Sequence, residues 1–152
     1  MDKTKKYLPI TLLTILLVAC VAEPKPGARF FSDLDIKVDQ ANTAKFNFGI
    51  SSQGNRIEFV MFEITGLNCA AISAERSSYY TVSNILISSG RFQFNDPGIG
   101  DVSGRFVTPT EARGTIHISY DWERGGALEN FIIHDRAASC ELGTFEWRAT
   151  AP

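Results

Sequence analysis

Apolar and polar residues alternate with a period of two along most of the chain, the pattern of half-buried β-strands rather than of helices. Leu34, Ile36 and Val38 alternate with Asp35, Lys37 and Asp39, and Phe46, Phe48 and Ile50 with Lys45, Asn47 and Gly49. After the turn residues Ser51-Ser52-Gln53-Gly54-Asn55, the run from Ile57 to Ile64 is almost continuously apolar, with Glu58 and Glu63 its only charges. Such a run predicts a central strand covered on both faces. Gly66 to Ser78 is the least regular stretch and predicts a short helical turn over Ala70 to Arg76. Strands resume at Tyr79 to Val82 and Ile85 to Ile87, separated by Asn84.

A short internal echo follows, in which Ser89-Gly90-Arg91-Phe92 recurs as Ser103-Gly104-Arg105-Phe106. The residues between them, Asn95-Asp96-Pro97-Gly98-Ile99-Gly100-Asp101, are dense in turn formers, so the two copies predict the arms of one hairpin. Thr108-Pro109-Thr110 makes a corner, and Gly114 to Trp122 then alternates, with Ile116, Ile118, Tyr120 and Trp122 on one face. Gly125-Gly126 ends that run, and Phe145, Trp147 and Ala149 form the inward side of a closing strand. The whole predicts an all-β fold, an antiparallel β-sandwich or partly closed barrel of about eight short strands.

The first twenty residues obey a different pattern. Lys3, Lys5 and Lys6 precede an apolar run from Leu8 to Val18 that is broken only by Pro9, Thr11 and Thr14. A hydrocarbon core about 30 Å thick needs about 20 apolar residues to cross it, so this shorter run reads as an export signal. Its last residues, Leu17-Val18-Ala19-Cys20, resemble the lipobox of bacterial lipoproteins. The resemblance implies a Cys20 sulfur carrying diacylglycerol, cleavage just before Cys20 and, often, acylation of the new amino group. Two or three chains give stable anchoring, each buried methylene contributing about 0.8 kcal/mol. The alternatives are a plain secretory signal cut near Ala19 or Ala22, or an uncleaved N-terminal anchor. The expected divisions are a signal peptide over 1–19, a lipidated N-terminus and flexible tether over 20–31, and a β-domain over 32–150. The expected address is an exported protein, lipid-anchored on the outer side of a bacterial cell membrane or in the periplasm or outer membrane.

Beyond residue 19 the chain carries twelve basic against sixteen acidic side chains, scattered rather than in runs. Composition therefore predicts no basic stripe for nucleic acid or anionic lipid, and no nucleic-acid partner. With Cys20 assigned to lipid, Cys69 and Cys140 remain as a pair in an oxidising compartment, which predicts a disulfide. Two buried free thiols are the alternative.

The runs Gly90-Arg91-Phe92-Gln93-Phe94, Val102-Ser103-Gly104-Arg105-Phe106, Glu111-Ala112-Arg113-Gly114-Thr115-Ile116 and Phe145-Glu146-Trp147-Arg148-Ala149, together with Cys140, resemble small secreted bacterial β-domains of uncharacterised type. The resemblance spans about the C-terminal half, rests on core and turn positions, and implies a fold without an activity. The common nucleophilic, zinc-hydrolase and phosphate-binding signatures are absent, and the two histidines, His117 and His134, have no local partner that pairs them. No cofactor or metal is expected. Asn95, Asp96 and Asp101 could offer oxygens to Ca²⁺, but their spacing is not that of an EF-hand and suits a turn equally well. The expected role is a non-enzymatic binding module for a protein or glycan, through exposed loops at Asn95, Asp96 and Asp101 and at Trp122 and Glu123. A structural or envelope-maintenance lipoprotein is the second reading, and a small hydrolase the third.

Overall fold

The computed structural model describes residues 21–34, 41, 43–69, 72–96, 99–121, 132–133 and 139–152. Cys20, Trp122, Glu123 and His134 lie outside them. All regular structure among the described residues is strand: β1 (Arg29–Leu34), β2 (Thr43–Ile50), β3 (Arg56–Cys69), β4 (Ile72–Leu86), β5 (Arg91–Asp96), β6 (Gly100–Thr108), β7 (Glu111–Asp121), β8 (Ile132–Ile133) and β9 (Ser139–Thr150).

The strands form one antiparallel sheet in the order β5-β6-β7-β9-β1-β2-β3-β4-β8. This is a meander whose last long strand returns to pair with the first, Phe31 facing Thr150. Eight strands thus curl into a nearly closed barrel, and the short β8 continues the sheet beside Ile72 and Ser73 of β4. The seam lies between β4 and β5. Ser89 and Gly90 sit there at φ 50° and 65°, and Ser88 and Arg91 exchange backbone hydrogen bonds of 2.9 and 3.0 Å across them. Two left-handed central residues make the tight hairpin turn whose twist suits the flanking strands. Farther along the seam the Tyr79 hydroxyl donates to Asp96 Oδ2 at 3.3 Å. Burial first, and the Asp96 charge next, push the Tyr79 phenol above its ordinary pKa.

Alternation supplies the core. Phe30, Phe46, Phe48 and Phe62 are fully buried inside the barrel, with Val102, Ile116, Ile118 and Trp147. Phe30 and Phe48 stack at 5.0 Å, and Phe46, Phe48 and Phe92 all pack against Trp147. One row explains how rings of this size fit. Phe92 of β5, Gly104 of β6, Gly114 of β7 and Trp147 of β9 are successive cross-strand neighbours. With no side chain on the two middle strands, the outer rings lean inward until they stack at 5.9 Å. The second copy of the tetrapeptide lies wholly in β6 and the first enters β5 only with Arg91 and Phe92, so the glycines serve different ends: Gly90 makes the β4–β5 turn, and Gly104 makes room for rings.

Cys69 and Cys140 are joined by a disulfide, with Cα atoms 5.8 Å apart. It ties β3 to β9 across the two intervening strands, at the end of the barrel remote from the β4–β5 turn.

Several expectations need correction. The Ile57 to Ile64 run is covered on one face only, since Met61 is exposed and Phe59 lies on the outer wall over Gly49, where a Cβ would meet its ring. The stretch expected to be irregular lies on a long hairpin: β3 runs to Cys69 and β4 starts at Ile72, so Ile72 to Arg76 of the expected helical turn are strand, and Ala70 and Ala71 lie outside the described residues. Cross-strand pairing, from Thr65 with Arg76 to Cys69 with Ile72, overrides a local sequence that lacks clean alternation. Tyr79 to Val82 and Ile85 to Leu86 belong to one strand, with the expected break at Asn84 appearing as a shift in register against β3 and Ile87 lying just beyond β4. Of the expected strand over Leu34 to Val38, Leu34 is the last residue of β1, and Ile36 and Val38 lie outside the described residues.

The expected flexible tether is also corrected. β1 already begins at Arg29, and residues 21–28 are seated across one end of the barrel as a strap. Pro24 is buried, Lys25 N–H donates to the Pro109 carbonyl at 2.8 Å, and Gly27 N–H donates to the Ser51 carbonyl at 3.0 Å. Val21 and Ala22 lie against Gly90, whose missing Cβ would sit 2.4 Å from the Ala22 carbonyl oxygen. This strap end gathers the β2–β3, β4–β5 and β6–β7 turns.

Candidate functional site

The antiparallel register does something that linear composition hides. Arg91 of β5 faces Arg105 of β6, Arg105 faces Arg113 of β7, and Arg113 faces Arg148 of β9. Four arginines from four separate segments therefore form one unbroken row on the outer wall. The expectation that no basic stripe exists is overturned by strand pairing, because the stripe runs across the strands rather than along the chain.

Directly opposed residues on neighbouring strands have Cα atoms about 5 Å apart, and like charges there are destabilising. Glu111 offsets half of the row. Its Oε1 accepts from Arg113 Nε at 2.7 Å and its Oε2 from Arg148 Nη2 at 3.0 Å. Those two donors, Arg113 before Arg148, hold the Glu111 carboxyl below the usual range. Arg91 and Arg105 are exposed and have no side-chain partner among the described residues.

The row forms one bank of an open groove of about 1060 Å³. Its floor is the backbone of Gly104 and Gly114, which present no side chain outward or inward, and its opposite bank is Gln93, Ser103, Thr115 and Glu146. Ser103 and Thr115 share a hydrogen bond of 2.9 Å across that bank. Asp33 and Glu146 bring negative charge to the β9 side, so the positive field is concentrated on the β5–β6 side, around Arg91 and Arg105. An arginine fork offers five N–H donors in a fixed plane and matches the oxygens of phosphate, sulfate or carboxylate groups.

The loop residues expected to hold a ligand are differently engaged. Asn95 and Asp101 face one another across the β5–β6 hairpin, and Asn95 Nδ2 donates to Asp101 Oδ1 at 2.7 Å. Asp96 accepts from Tyr79 at the seam. Their polar atoms are used in holding the barrel together. Among the described residues no group of three or more His, Cys, Asp or Glu side chains is placed to hold a metal ion.

His117 meets partners that its local sequence does not show. Its Nδ1 lies 3.0 Å from Thr144 Oγ1 and its Nε2 lies 3.5 Å from Glu141 Oε1, all on the outer wall of β7 and β9. A hydroxyl, an imidazole and a carboxylate are thus in sequence, beside the shift in β7–β9 register between Ile118 and Ser119. Comparison of the chain with family models, with curated proteins and with solved structures finds no match.

No single motif announces the arginine groove. The signal lay in phase: Arg91, Arg105, Arg113 and Arg148 each immediately precede or follow an inward residue of the Phe92-Gly104-Gly114-Trp147 row, so once that row is assembled the arginines must align outside it.

Proposed function

We propose that the protein is an exported, lipid-anchored binding module, with Cys20 as its acylated residue, and that its ligand surface is the arginine-lined groove on β5, β6, β7 and β9. The observation that carries this reading is the row itself. Four like charges held side by side cost stability, and among the described residues only one carboxylate, Glu111, bridges any of them. An anion bound between Arg91 and Arg105 relieves their mutual repulsion. The ligand class is a molecule with clustered phosphate, sulfate or carboxylate groups. The filled barrel interior supports an external site, since aromatic side chains occupy the space in which a barrel would carry a small apolar ligand.

The test is a titration with a fluorescent polysulfated oligosaccharide as probe. The Arg91→Gln, Arg105→Gln double variant should bind at least about tenfold more weakly, the loss of two charge-assisted contacts being large enough for that. A His117→Ala variant should bind as the wild type does. Equal binding by the double arginine variant would refute the reading.

A further inference from the structure

We propose that the strap end of the barrel rests on the membrane that holds the lipid and that the arginine row takes the phosphates of anionic lipid headgroups there. This rests on the reading of Cys20 as the acylated residue, and it names the ligand of the groove already described.

Three placements carry it. First, the chain is fixed to the barrel immediately after Cys20. Val21 Cγ1 and the Ala22 carbonyl oxygen both crowd Gly90, Pro24 is buried, and Lys25 and Gly27 are hydrogen-bonded to the β6–β7 and β2–β3 turns. Consecutive Cα atoms are about 3.8 Å apart, so a single peptide unit joins the acylated residue to the seated strap. Second, the residue after Gly90 is Arg91, the first member of the row. The positive groove therefore begins one residue along the chain from the glycine against which Val21 and Ala22 are packed. Third, exposed apolar side chains flank that point: Val21 on the strap and Leu86 on the groove wall.

The stagger of the barrel sets the order of contact. The row that starts at Arg91 continues from Arg148 on β9 to Asp33 on β1, then through Lys45 and Glu63 to Ser78 on β4, whereas Arg91 itself bridges to Ser88 across the seam. The row thus climbs obliquely away from the strap end, and Arg91 and Arg105 are nearest the surface, with Arg113 and Arg148 progressively farther. The two arginines without a carboxylate partner are the two closest to the headgroups.

The experiment uses the intact lipoprotein reconstituted in vesicles of phosphatidylcholine alone or of phosphatidylcholine with phosphatidylglycerol. Phenylglyoxal modifies accessible arginines, and peptide masses report the rate at each position. With phosphatidylglycerol, modification of Arg91 and Arg105 should slow about fivefold, the size expected for a basic residue near an anionic leaflet. The slowing should fade toward Arg148 and be absent at Arg76, which is paired with Glu63 high on β4. A parallel arm in detergent micelles adds the polysulfated oligosaccharide and reads the groove without a bilayer. Protection by the oligosaccharide with equal rates in both vesicles would overturn the membrane inference and leave the groove standing. Protection in neither arm would overturn both, and a protein whose intact mass lacks acyl chains would remove the address on which the inference rests.

Discussion

Gly104→Ala tests the packing that aligns the arginine row, and the general rule and the structure disagree on its sign. Replacing a strand glycine with alanine ordinarily stabilises by about 0.4 to 1 kcal/mol, because the unfolded chain loses freedom. At Gly104 the new methyl would lie 2.4 Å from Phe92 Cζ and 2.7 Å from Trp147 Cη2. Both rings are pinned, Phe92 by Phe48 and Phe106 and Trp147 by Phe46 and Phe48, so neither can swing aside without moving a third ring. Overpacking of this kind costs about 1 to 3 kcal/mol, which exceeds the entropic gain, and a net loss of about 1 to 2 kcal/mol is expected. Urea unfolding of wild type and variant, with unchanged slope, gives the value. Trimming one ring should absorb the methyl: Phe92→Leu with Gly104→Ala should lose less than the two single losses added, by about 1 kcal/mol. A Gly104→Ala protein as stable as wild type, or strict additivity of the pair, would refute the stacked-ring arrangement.

Removing the disulfide with Cys69→Ala and Cys140→Ala should cost about 4 kcal/mol in the same urea assay, from the chain-entropy relation for a sequence separation of 71; a loss under about 1 kcal/mol would contradict the cross-barrel tie. Because the Tyr79 phenol is raised by burial and by Asp96, its contribution holds below the ordinary phenol value of 10.0 and is lost as pH rises through its folded value. Tyr79→Phe should therefore flatten the alkaline limb of a stability–pH profile, and an unchanged limb would count against the seam contact. The depressed Glu111 carboxyl acts in the opposite direction: its contribution holds above 4.5 and fades as pH falls through its lower folded value, so Glu111→Gln should flatten the acid limb. That variant also frees Arg113 and Arg148, and tighter binding of the polysulfated probe is expected from fluorescence titration.

How much of this was legible in the sequence depends on the range over which each feature is encoded. Alternation at Phe46 to Ile50 and at Ile116 to Ile118 reported the inward face correctly, because one residue's burial depends on its own strand. The disulfide followed from an even count of cysteines after Cys20 was set aside. Gly66 to Ser78 misled because its strand character comes from partners in β3 and β4 rather than from local periodicity. The strap was misread for a similar reason: Pro24 and Gly27 look like linker residues, and only the turns they meet reveal that they are seated. The arginine row was invisible to charge counting. Its members are 14, 8 and 35 residues apart, and proximity appears only when three register choices are fixed together. The His117 contacts with Thr144 and Glu141 belong to the same class.

The most direct measurement is nuclear magnetic resonance of the arginine Nε–H groups during titration with tripolyphosphate. If the groove is an anion site, the Arg91 and Arg105 signals move together and saturate, those of Arg113 and Arg148 move less because Glu111 already holds them, and that of Arg76 stays in place. Small, unsaturated shifts of similar size at every exposed arginine would contradict the assignment of the groove as the ligand surface.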